Sequence, residues 1–368
     1  MPDNVAIYST LSEPISDETI AQVVPGAKHT ARDESDGRRA VALVWPKVKI
    51  TVNRWTAESP DFAEHIRGFL GYVLHLAEGH MDARLWEIYY TVSKARQSLG
   101  IVIEPGWDND VAERFVSELA VAACGIVFND NQLTDPWSEV LLGPGNERGP
   151  GVLYAFESAK QRREKSNGRL AALGLATPDV LPPTVANEEG LTQTADDAAR
   201  RTIVLMAVAM RAEGVAQPKV VKFLTQRGVT KAVSQREKSF LQDARPDPEV
   251  MSQLTWRYEA MWTLLWSLKH IDTLGSPGQQ CDARRAIKIV NEANPQKFID
   301  EADFRLGDEI LDELDFYYRA HWHVVRARQE NRPVPTGLDP DVIYERHYAL
   351  NWLTRYMYQE WDDVTTDT

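Results

Sequence analysis

Seven charged or imidazole side chains lie in or beside helical apolar stripes: Arg257, Glu259, Asp315, His321, Glu345, Arg346 and His347. In the stretch after Asp341, one helical face collects Val342, Ile343, Arg346, His347, Ala349, Leu350, Leu353 and Met357. Arg346 and His347 therefore fall mid-stripe. After Asp308 the stripe is Ile310, Leu311, Leu314, Tyr318, His321 and Val325, with Asp315 at its margin. After Leu254 it is Leu254, Tyr258, Met261, Leu265 and Leu268. Arg257 borders that row and Glu259 lies on another side of the helix. Carboxylates and imidazoles from neighbouring helices can divide acid and base roles or share a metal ion. One reading is thus a hydrolase-like centre combining His321 with Asp315, His347 or Glu345.

The second reading is architectural. A charge in a packed core is costly unless paired, so these groups should meet one another. The economical network joins Arg257, Asp315 and Arg346, with Glu259 and Glu345 as alternative acids and Asp315 the first choice for Arg346. Buried ion networks often fix helix docking, and a histidine on an apolar face is more often a hydrogen-bonded core residue than a ligand. His321 and His323 stand at i and i+2, so a regular helix points them apart. Asp308, Glu309, Asp312 and Asp315 crowd a helix start, where the macrodipole accounts for them.

No phosphate-binding glycine loop, H-E-x-x-H or G-x-S-x-G motif occurs. The run Phe128-Asn129-Asp130-Asn131 lacks the glycine and glutamate of a calcium loop and reads as a strand-to-helix turn. No residue pattern specifies a cofactor or an oligomeric state.

The elements that must position these groups divide the chain. Residues 1–145 alternate strand and helix signals: strands at Val5–Ser9, Ala40–Trp45, Lys47–Trp55, Leu99–Ile103 and Gly125–Phe128. Helices are expected from Asp17 to Val24, after a Ser59-Pro60 start, from Arg84 to Ala95, and from Asp110 to Ala123. This pattern predicts a small α/β domain with parallel strands near its end. The GPGNERGPG run at 143–151 is a breaker cluster, so residues 146–195 are expected to link and wrap. From 196 to 368 the reading is helix after helix, with a capping box at Ser234–Glu237 and a capped start at Asp339-Pro340. The class is α+β overall.

The 368 residues carry 41 Lys and Arg against 54 Asp and Glu, a net charge of −13. Residues 297–368 hold eight basic against sixteen acidic side chains, read as a solvated helical surface. Duplex DNA, which needs phosphate-neutralising cations, is a poor partner. The longest apolar run, Thr202–Met210, is far too short to span a bilayer and reads as a core helix. With two distant cysteines, Cys124 and Cys281, and no signal-peptide pattern after Met1, a cytoplasmic location is expected.

The stretches RTIVLMAVAMRAEG (201–214), LTWRYEAMWTLLWSLKHID (254–272), ILDELDFYYRAHWHVVRAR (310–328), DVIYERHYALNWL (341–353) and WDDVTTDT (361–368) arrive in one order across over half the chain. Together they resemble a bacterial family known as a domain of unknown function. The resemblance implies a mostly helical domain and carries over no activity, ligand or catalytic residue. Without a catalytic motif, the favoured function is a non-enzymatic protein-interaction or regulatory module. Its partner would be another protein, not nucleic acid or membrane. The alternative is the hydrolase-like enzyme.

Overall fold

Along Val5–Ser9 (β1) apolar side chains alternate between faces: Val5 and Ile7 enter the core, and Ala6 and Tyr8 face the other way. The computed structural model describes residues 5–23, 26–45, 48–104, 109–178, 181–190 and 192–368. In it β1 lies inside an eight-stranded sheet with β2 (Lys28–Asp33), β3 (Arg39–Trp45), β4 (Val48–Thr56), β5 (Gln97–Ile103), β6 (Ile126–Asn129), β7 (Gln132–Thr134) and β8 (Val140–Leu142). The order is β2-β3-β4-β5-β1-β6-β7-β8. Every pairing is antiparallel. The expectation of paired parallel strands is therefore corrected, and the reason is specific. Helix α4 (Asn109–Ala122) does connect β5 to β6, which run the same way, but β1 is inserted between them and pairs with both.

Helix α1 (Asp17–Gln22) and α4 cover the face bearing Ile7, Val41, Ile50, Val52 and Leu99. On the opposite face, Phe69 of α2 (Phe62–Leu76) stacks on Tyr8 at 4.0 Å; α3 (Ala83–Ser93) follows. Helix α2 begins at Phe62 after a left-handed Asp61. Ser59, expected to cap it, bonds instead to the Gly37 carbonyl. The Asn129–Asn131 run is also corrected. Asp130 and Asn131 have φ of 49° and 61°, the two left-handed residues of a tight hairpin joining β6 to β7.

Two compact units result: residues 1–157 with 188–190, and residues 158–187 with 191–368. The breaker run 143–151 lies inside the first unit, where Gly143 bridges Glu147. The second unit holds α5 (Glu157–Ala171), α6 (Ala195–Ala212), α7 (Gln217–Gln226), α8 (Gln235–Gln242), α9 (Pro248–Thr255), α10 (Arg257–Ser267), α11 (Ala283–Glu292), α12 (Pro295–Asp300), α13 (Gly307–Gln329) and α14 (Pro340–Leu353). Thr202–Met210 makes α6 the buried axis, packed against α10, as its all-round apolar sequence requires. The capping box on α8 and the Asp339 cap with Pro340 on α14 are both present. Trp262, Trp266 and Trp352 are buried and Trp322 half-buried. Among the described residues, no helix is long and apolar enough to cross a membrane.

Candidate functional site

Helices α10, α13 and α14 bring the charged residues together in four separate groups. In the first, Arg346 of α14 reaches Glu259 of α10 at 2.9 Å. It also donates to the Tyr317 hydroxyl at 2.7 Å and to the carbonyls of Ser276 and Gln279 at 3.4 and 3.2 Å. Glu259 accepts the Cys281 backbone N–H on its other oxygen. Arg346 and Glu259 are 1% and 2% exposed, so this pairing is dry. Burial pushes the Tyr317 phenol up to about 12, keeping it a neutral partner for the guanidinium.

Asp315 is not the acid that meets Arg346. Its partner is Arg319, one turn further along α13 at 2.8 Å, and both side chains are fully buried. The cause is angular. Residues two apart on a helix point about 200° apart, so with Tyr317 turned toward α14, Asp315 faces away. On that far side the segment 181–187 closes over it: Thr184 donates its hydroxyl to Asp315 at 2.8 Å, and the Pro182 carbonyl accepts from Arg319 at 2.9 Å.

The third group is the imidazole pair. His321, one turn after Tyr317, faces α14 and meets His347 with Nδ1 atoms 3.0 Å apart. One ring donates and the other accepts, so the accepting ring is neutral at that contact. Burial agrees: it lowers His321 to about 4 and, with His321 adjoining, His347 well below the usual imidazole range. His323 points elsewhere, to Thr177. Asp315 and His321 thus belong to different groups. Among the described residues no group of three or more His, Cys, Asp or Glu is arranged to hold a metal ion.

Arg257 pairs with Glu345 at 3.0 Å and lies over the Tyr348 and Trp361 rings at 4.7 and 5.4 Å. This pair borders an open cleft of about 360 Å³ that also includes Trp256, Asp341 and Tyr344. Burial raises the Glu345 carboxyl, opposed by Arg257.

A second cleft, of about 630 Å³, was not legible beforehand. It lies where α6, the start of α8 and the end of α14 meet the C-terminal segment. Arg200, Lys231, Gln235, Arg355 and Glu360 reach it around Trp352 and Trp361. Trp361 is held under the Arg201 guanidinium at 5.0 Å, and its carbonyl accepts from Tyr348. Asp362 accepts from the Ser234 hydroxyl and the Arg236 N–H, tying the segment to the start of α8. At the rim Arg355, Met357 and Tyr358 have φ of 52°, 50° and 55°, a run of non-glycine left-handed residues of the sort that clusters at binding sites.

The model of a family described as Domain of unknown function (DUF4272) matches residues 162–364. The chain belongs to this family. No curated protein and no solved structure matches the chain. The DUF4272 match falls on the helical unit, and both clefts and all four charged groups lie inside it. The residues that line the larger DUF4272 cleft come from three separated stretches, 193–201, 231–235 and 352–363, with no shared periodicity, which is why helical patterning does not reveal them.

Proposed function

We propose that the protein is a non-enzymatic protein-interaction module of the cytoplasm, recognising an extended polypeptide segment through the 630 Å³ cleft of the helical unit. The observation that carries this reading is the contrast between the two kinds of charge. The partners in the Arg346–Glu259 and Asp315–Arg319 pairs neutralise each other's charges in a dry core, whereas Lys231, Arg200 and Glu360 of both signs surround Trp352 at an open surface. Mixed charge around an aromatic anchor suits a peptide, whose backbone and side chains offer both donors and acceptors. The two cysteines are free, in keeping with a reducing compartment.

Selection of a displayed random-peptide library on the purified protein tests this. Enriched peptides should bind with Kd of roughly 1–100 µM and lose at least tenfold on Lys231→Glu and on Gln235→Trp, which crowds the cleft. No enriched peptide family, or peptides indifferent to both changes, would overturn the reading.

One observation favours a second reading, the hydrolase-like enzyme. Glu345 combines a raised carboxyl with access to the smaller cleft, where Asp341 is raised by burial and by Asp339. A chromogenic panel of esters, phosphate esters and glycosides decides it: turnover abolished by Glu345→Gln would replace the interaction reading.

A further inference from the structure

The sheet unit carries an open groove that presents polar groups on a flat floor beside an aromatic wall. On the face opposite α1 and α4, a row of small residues crosses the sheet in register: Asn53 pairs with Gly100, and Gly100 with Ala6. The next row places Trp55 beside Ser98 and Ser98 beside Tyr8. The small row forms the floor of a cavity of about 540 Å³, and Trp55, Tyr8 and His65 form its wall. The wall is fixed by packing: Trp55 lies 4.9 Å from the His65 ring, and the Tyr8 hydroxyl bonds His65 Nε2 at 3.2 Å.

The polar groups on this surface are unused. Ser98 is only 6% exposed and shares its face with Tyr8 and Trp55, yet its hydroxyl has no hydrogen-bond partner among the described residues. The same holds for the half-buried Asn53 carboxamide, in the middle of a central strand where asparagine is a poor choice. Neither group is sealed from the groove, so both are open to bond a molecule that enters it. Flat floor, aromatic wall and neutral hydrogen-bonding groups together define that occupant's chemistry.

We infer that this groove binds a small, neutral, planar heteroaromatic molecule, lying on the Ala6–Gly100–Asn53 floor, stacked against Trp55 and hydrogen-bonded by Ser98 and Asn53. A nucleic acid strand is disfavoured by charge. Arg38 is the cation among the lining residues, and Asp36 already engages its guanidinium. A phosphate backbone needs more cations than this. The site lies outside the helical unit and is independent of the peptide cleft.

Lumichrome, a neutral fluorescent tricycle with amide-like edges, is the probe. Titrated with the full-length protein, its emission should be quenched saturably, with Kd of roughly 1–100 µM. A Cβ at Gly100 would meet only ordinary contacts with Asn53, at 3.8 and 3.9 Å, so Gly100→Val keeps the strand while filling the floor. Binding should weaken at least tenfold. Ser98→Ala leaves the groove open and should weaken binding about fivefold, the scale of one hydrogen bond; it carries the test if Gly100→Val does not fold. Absence of saturable quenching by the parent, or Ser98→Ala and folded Gly100→Val binding as the parent does, overturns the assignment. So does displacement of lumichrome by an octauridylate at low salt, which would make the face a single-strand RNA surface.

Discussion

Arg346 and Glu259 stand 87 residues apart in the chain and 2.9 Å apart in the fold. Their ion pair, with the Tyr317 hydroxyl and two loop carbonyls on the same guanidinium, ties α10, α13, α14 and the 276–281 loop to one point. Arginine cannot shed its proton to escape burial, so the site requires an anion there. This buried pair is therefore read as a fastener between helices, while Asp315–Arg319 of α13 holds the 181–187 segment.

The imidazole pair makes stability pH-dependent. Burial lowers His321 to about 4 in the fold and His347 well below its ordinary value near 6.5. Between those values the unfolded chain binds protons that the folded chain refuses, so stability is complete above about 6.5 and falls as pH drops toward 4. The His321 share is about 3 kcal/mol. Urea unfolding from pH 7.5 to 4 should show this loss, and His321→Phe should flatten the slope. An unchanged slope would mean the rings are not held neutral.

Thr184 is the neutral fastener of the Asp315–Arg319 pair, donating at 2.8 Å to a fully buried carboxylate. Thr184→Val keeps the shape and removes the donor, which should lower stability by about 1–3 kcal/mol. Arg319→Met leaves Asp315 buried without its cation and should lose more, about 3–5 kcal/mol. Thermal melts of the two variants check both the direction and the order.

The C-terminal segment is held by a cap. Asp362 accepts from the Ser234 hydroxyl and the Arg236 N–H at the start of α8. Asp362→Ala should lower stability by about 1 kcal/mol. It should also speed hydrogen exchange at 234–240. Asp362→Asn, which still accepts, should retain most of the protection.

Much of this was legible in the sequence, and the failures share a cause. The helices of the second unit, the capping box at Ser234 and the tryptophans of α10 and α14 follow from local pattern. Pairing depends on tertiary geometry. That Asp315 and Tyr317 face opposite ways is a local fact, but which of the two sides meets α14 is not. Likewise the β5–α4–β6 run looks like a parallel unit until β1, nearly a hundred residues earlier, is inserted between its strands. Asn53 and Ser98 are visibly polar in their strands. Only the uncovered part of the sheet face shows why they stand out.

The central claim, that buried charges dock the helices, is tested most directly by a double-mutant cycle on Arg346 and Glu259. Arg346→Met and Glu259→Gln should each lose about 3–5 kcal/mol in chemical denaturation, and the double mutant should lose about 2 kcal/mol less than their sum. Two single mutants as stable as the parent, with strictly additive effects in the double mutant, would contradict the account.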